Sequence, residues 1–219
     1  MSISYPTSPP DNLADVLLML GEVDPARVIA TPPPGAATEE DLLRLLDGEP
    51  KRLCELIDGI LVEKAMGFQE STLAAYLTAL LVVHVRDKNL GLVAGADGPW
   101  RLNPRRVRLP DIAFIGWDRL PGRKQPTTPI IDTPPDLAIE VLSPSNRPGE
   151  MLAKRRDFFA AGVSLVWEID PRARTVSVYT GPETAECNLS GEDTLSAPGL
   201  LSNFSLKLSE LFSELDRHG

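Results

Sequence analysis

Residues 134–159 read PPDLAIEVLSPSNRPGEMLAKRRDFF, and one glutamate, Glu140, stands inside an otherwise apolar run. Alternation along a strand places Leu137, Ile139 and Val141 on one face and Ala138, Glu140 and Leu142 on the other, so both faces are apolar except at Glu140. A strand of this kind belongs inside a sheet covered on both sides. The prolines and small polar residues of SPSNRPG end it, and a helix is predicted from about Glu150 to Ala161. An ionised carboxylate in the strand costs several kcal/mol unless it is paired or holds a metal. Two readings follow: a buried ion pair with Arg105, Arg106 or Arg108, or a cation ligand.

The neighbouring acids bear on that choice. In RLPDIAFIG, Asp111 follows Pro110, which lacks an N–H and suits a strand start, so Asp111 is expected at the rim of a second strand. An Asp there can be a turn residue, but two carboxylates from adjacent strands can also share a divalent cation. A backbone carbonyl, here Val141, and waters would complete the shell of Mg2+ or Mn2+. Lys154 falls on the helical arc of Met151, Phe158, Ala161 and Gly162 and points inward. It could orient an attacking water or stabilise developing charge. Arg155 shares the arc, and one of the two could instead snorkel outward. Glu70 reads either as a first-turn acid favoured by the helix dipole or as a further ligand. Glu55, alternating with Leu53 and Ile57, faces either the core or solvent.

Around these residues, 219 residues with 42% hydrophobic content suffice for one sizeable core. Residues 1–50, broken by TSPPDN and TPPPGAAT, read as an appendage bearing helices over Leu13 to Leu20 and Thr38 to Leu46, the second capped by Thr38. Residues 51–219 form the main domain. RLCELIDGILVEK predicts a hairpin turning at Asp58-Gly59, followed by a helix from about Gln69 to Arg86. Strands are expected at LGLVAG, at about Val107 to Ile115, at SLVWEID and at TVSVYT, with a Pro-rich loop before residue 136 and a last helix from Leu208 to Leu215. The class is α/β or α+β, built on one mixed sheet.

Several function classes are disfavoured. No Lys or Arg precedes Arg27, so a secretory leader is not expected, and two cysteines are too few for a disulfide framework or zinc cluster. Both features fit the cytoplasm. The longest apolar run, Leu73 to Val85, is shorter than the roughly 20 residues of a membrane span and reads as a core helix. There is no Walker loop, GxGxxG or G-x-S-x-G, and His84 and His218 do not suit a triad. A net charge of −9 argues against a general basic coat, although residues 101–156 carry 11 Lys/Arg against 6 Asp/Glu.

The constellation of PD at 110–111, Glu140 on an apolar strand and a downstream lysine resembles the PD-(D/E)xK nuclease superfamily. CELIDGILVEK, LPDIAFI, LAIEVLSPS, KRRDFFAAGVSLVWEIDP and VSVYTG are similar to the bacterial Uma-type family of restriction-endonuclease-like proteins, over about residues 40 to 215. The resemblance implies a restriction-endonuclease-like fold, a four-stranded mixed sheet flanked by helices. It also implies metal-dependent hydrolysis of DNA, with Asp111 and Glu140 as ligands. Its lysine maps onto Lys154, because Leu142 occupies the usual slot two residues past the glutamate. Relatives keep a glutamate matching Glu55, and many have histidine at the position of Glu70. Arg105, Arg106 and Arg108 would steer the DNA backbone, and cutting both strands would favour a homodimer. The alternative is an inactive nuclease fold acting as a binding or regulatory partner.

Overall fold

The computed structural model describes residues 12–65 and 67–218. Its central strands form a six-stranded mixed sheet in the order β10-β9-β8-β7-β6-β3. These are β3 (Gly91–Gly95), β6 (Ile112–Gly116), β7 (Leu137–Val141), β8 (Leu165–Asp170), β9 (Thr175–Tyr179) and β10 (Cys187–Ser190). Within this sheet the β7–β8 pair runs parallel and its other pairs antiparallel, and helix α4 (Pro148–Ala160) connects β7 to β8. The mixed sheet has two strands more than the resemblance implied, and it has companions. A four-stranded antiparallel sheet, β2-β1-β5-β4, is built from β1 (Cys54–Ile57), β2 (Ile60–Glu63), β4 (Trp100–Asn103) and β5 (Arg106–Arg108). A hairpin of β11 (Thr194–Ala197) and β12 (Leu201–Lys207) completes the strands among the described residues.

The apolar faces dictate the layers. Leu137, Ile139 and Val141 pack with Ile112 and Trp167 under Leu73, Leu77 and Leu81 of α3 (Phe68–Asp87). Helix α5 (Leu208–Ser213) closes the same core through Leu208, Leu211 and Phe212. By length and composition α3 could cross a membrane, but its apolar stripe is buried against the sheet. Ala138 and Val166, on the opposite face, pack against Phe158 of α4. The predicted hairpin is present, with Asp58 at φ 51 and Gly59 at φ 82 forming the left-handed two-residue turn that matches strand twist.

Two expectations require correction. The strand predicted from Val107 to Ile115 is broken at Leu109-Pro110-Asp111, because Pro110 cannot donate to a ladder, and its halves join different sheets. Residues 12–50 do not hang off the domain. Helix α1 (Leu13–Met19) sets Val16 against Ile57 and Ile60, while α2 (Glu39–Leu46) sets Leu42 and Leu46 against Leu56 and Val107. Residues 1–11 of the expected appendage lie outside the described part.

Candidate active site

The break at Pro110 places Asp111 where the chain leaves one sheet for the other. Its Oδ2 accepts a hydrogen bond from the Val141 amide at 2.8 Å, which locks the carboxylate to the end of β7 beside Glu140. Glu140 faces α4, and Lys154 Nζ lies 3.0 Å from its Oε2. The same ammonium lies 3.4 Å from Glu55 Oε1. Asp111, Glu140, Lys154 and Glu55 are therefore assembled, and each is buried. Val141 joins them through its amide.

Sheet alternation explains the other participants. Opposite Val62 in the hairpin, Glu55 shares a face with Ile57 and, across β5, with Arg106 and Arg108. Arg108 Nη1 donates to Glu55 Oε2 at 2.7 Å, and its Nε and Nη2 donate to Asp157 Oδ2 at 2.9 and 2.5 Å. The Leu109 amide adds a bond to Glu55 Oε1 at 3.1 Å. Asp157 and Glu150, with Lys154, repeat at helical spacing on α4. Arg27 clamps Glu150 with bonds of 3.0 and 2.8 Å. Arg155 is also inward, paired with Glu168 at 2.5 Å and lying over the Tyr179 ring, so neither basic residue of the arc snorkels.

The Glu140–arginine pair, one of the two readings of the sequence, is absent among the described residues, since Lys154 takes that role. Arg106 engages Asp58 at 2.6 Å and also Asp157. Arg105 contacts Asp58 and keeps an exposed side chain. Arg108, at 3% exposure, lies inside the ion-pair network, out of reach of a nucleic-acid backbone. Glu70 is buried and folds back against Gly67 at the start of its own helix, with no hydrogen bond to the cluster among the described residues.

One residue escaped sequence reasoning. Lys64 Nζ bonds Asp111 Oδ1 at 2.8 Å and the Leu109 carbonyl at 2.5 Å. The available signal was the alternation of Ile60, Val62 and Lys64, which puts the lysine on the face of Glu55.

The electrostatics are uneven. Burial pushes the Glu140 carboxyl up to about 7; Lys154 pulls the other way, and the Asp111 charge adds to the rise. Burial would also raise Glu55, but Lys154, Arg108 and Lys64 outweigh it and hold that carboxyl down at about 2. Burial opposes the charge on Lys154, yet Glu140 and Glu55 keep it protonated well above the usual lysine range.

Among the described residues, no group of three or more His, Cys, Asp or Glu is arranged to hold a metal ion. The smaller all-oxygen set of Asp111, Glu140 and the Val141 carbonyl still suits a hard cation. Glu140 Oε1 is buried without a hydrogen-bond partner among the described residues, an open acceptor beside the two charged groups.

A family profile, Uma2, described as a putative restriction endonuclease, matches residues 39–209. The chain belongs to the Uma2 family. The matched span includes α2 and every residue of the Uma2 cluster on the strands, together with Lys154 and Asp157. A solved structure described as a putative nuclease from Anabaena variabilis is similar, with a TM-score of 0.69 and 23% identity, covering 81% of this chain and 98% of that one. That likeness shows a shared fold, a mixed sheet flanked by helices. A comparison with curated proteins returns no match.

Proposed function

We propose that the chain is a divalent-metal-dependent endonuclease hydrolysing DNA phosphodiester bonds. The observation that carries the reading is the junction of Asp111 with the end of β7, which brings its carboxylate beside Glu140, itself paired with Lys154. Asp111, Glu140 and the Val141 carbonyl would hold Mg2+ or Mn2+. When bound, such an ion supplies Lewis acidity toward a phosphodiester and makes water a better nucleophile at neutral pH. Lys154, fixed in mid-helix, keeps a positive charge where the phosphoryl group becomes more negative. Glu55 holds Lys154 and Arg108 in place and is a positioning residue. Arg105 is the member of the basic cluster free to meet a DNA backbone, and two copies of the chain would serve the two strands of a duplex. Glu70 serves in this reading as a first-turn acid favoured by the helix dipole rather than as a ligand.

Plasmid cleavage with Mg2+ or Mn2+ tests the proposal. Asp111→Ala, Glu140→Ala and Lys154→Ala should each lower the rate by about 100-fold or more, and EDTA should abolish cutting. Cleavage that persists in EDTA would overturn it. A second reading, a non-catalytic nuclease fold that binds a partner, is favoured by the closed ion pairing of Asp111, Glu55 and Lys154. DNA binding without cleavage under any divalent ion would support it.

A further inference from the structure

Lys64 and Lys154 both point ammonium groups at the acid cluster, but they enter it differently. Lys154 is fixed inside α4, with its whole residue buried. Lys64 lies just past β2, its backbone N–H donating to the Leu53 carbonyl at 2.8 Å. Its residue as a whole is only half-buried, whereas its side chain is 3% exposed. The four-carbon stem thus runs from the surface inward and brings a compact charge onto Asp111. Withdrawing it requires side-chain rotations, with no loss of sheet pairing.

The Asp111 carboxylate has two oxygens. Oδ2 is held by the Val141 amide, so Oδ1 is the one that can turn toward a cation, and Lys64 Nζ occupies it. An ammonium and a divalent ion cannot share that position, because both need the same lone pairs and repel each other. Glu140 Oε1, a buried acceptor with no partner among the described residues, feels the Lys64 charge as well.

We propose that Lys64 is a tethered competitor for the divalent cation: its ammonium must leave Asp111 Oδ1 before the ion binds. This rests on the metal-site reading above and adds a built-in control of cation affinity. The apparent dissociation constant is then the intrinsic value divided by the fraction of molecules with Lys64 withdrawn. A fraction of about one tenth raises it about tenfold.

Two measurements test this. Calorimetric titration of Mn2+ should show Lys64→Met and Lys64→Gln binding about tenfold more tightly than wild type. A lysine that merely positions Asp111 predicts the opposite sign, so equal or weaker binding in the folded variants overturns the proposal. The wild-type chain gives an independent readout if the variants fold poorly. Acylation followed by peptide mass analysis should find Lys64 protected in EDTA and several-fold more reactive in saturating Mg2+, with Lys154 protected in both. Lys64 that stays protected in Mg2+ also overturns it. If neither wild type nor variants bind Mn2+ or Mg2+, the metal site itself falls, an outcome distinct from binding that ignores Lys64.

Discussion

Glu140 and Glu55 lie in one cluster with opposite charge economies, and stability should record both signs. The Glu140 carboxyl, raised to about 7 by burial against the opposing Lys154, starts from about 4.3 in an unfolded chain. The folded state therefore holds that proton more tightly. Its contribution is full below about pH 4 and is lost as pH rises through about 7. Glu140→Gln should show a smaller fall in Tm between pH 5 and 8 than wild type; parallel melting curves would contradict this. Glu55, lowered to about 2, behaves inversely, because burial is outweighed by Lys154, Arg108 and Lys64. Its contribution is present above about pH 4 and lost as pH falls toward 2. Glu55→Gln should cost about 3 kcal/mol at pH 7, and the deficit in urea melts should shrink at pH 3.

Helix termini and strand breaks decide where those residues stand. Thr38 and Asp41 form a reciprocal capping box, with Thr38 Oγ1 accepting from the Asp41 amide at 3.3 Å and Asp41 Oδ2 accepting from the Thr38 amide at 2.8 Å. Removing the hydroxyl in Thr38→Ala should cost about 1 kcal/mol, read from the urea midpoint. Helix α4 carries charge at helical spacing as other helices carry leucine: Glu150, Lys154 and Asp157 all face inward. Glu150 depends on Arg27, since a bidentate guanidinium is its main counterion. Arg27→Met should therefore destabilise by about 2–3 kcal/mol, and the second change Glu150→Gln should recover part of the loss.

At the scale of the molecule, the two larger sheets meet across α4 and the Leu109–Asp111 passage, with the acid cluster at their junction. Residues 12–50 cover the four-stranded sheet: Ile29, Leu42 and Leu46 pack on Leu56 and Val107, while Val16, Leu20 and Val23 pack on Ile57 and Ile60. A chain beginning at Lys51 should lose cooperative unfolding by calorimetry and expose apolar surface to a hydrophobic dye. A truncated chain with an unchanged Tm would show that segment to be dispensable.

The individual elements were legible because local chemistry specifies them. Asp58-Gly59 turns a hairpin, Thr38 starts a helix, Pro110 stops a ladder, and alternation through LAIEV sets Glu140 against an apolar background. Glu140 and Lys154 could be singled out as charges where periodicity demands burial, and Asp111 as an acid set at a strand start by Pro110. The choice of partners was not legible. Whether Glu140 meets Lys154 or an arginine, whether Arg108 reaches Asp157 rather than DNA, and whether Lys64 reaches Asp111 all depend on how two sheets and a helix approach in space. The contacts Lys64–Asp111 and Arg108–Asp157 join residues 47 and 49 positions apart. Sequence periodicity sets the direction of a side chain from its own backbone. Only the packing of distant elements sets which opposite charge lies within its reach.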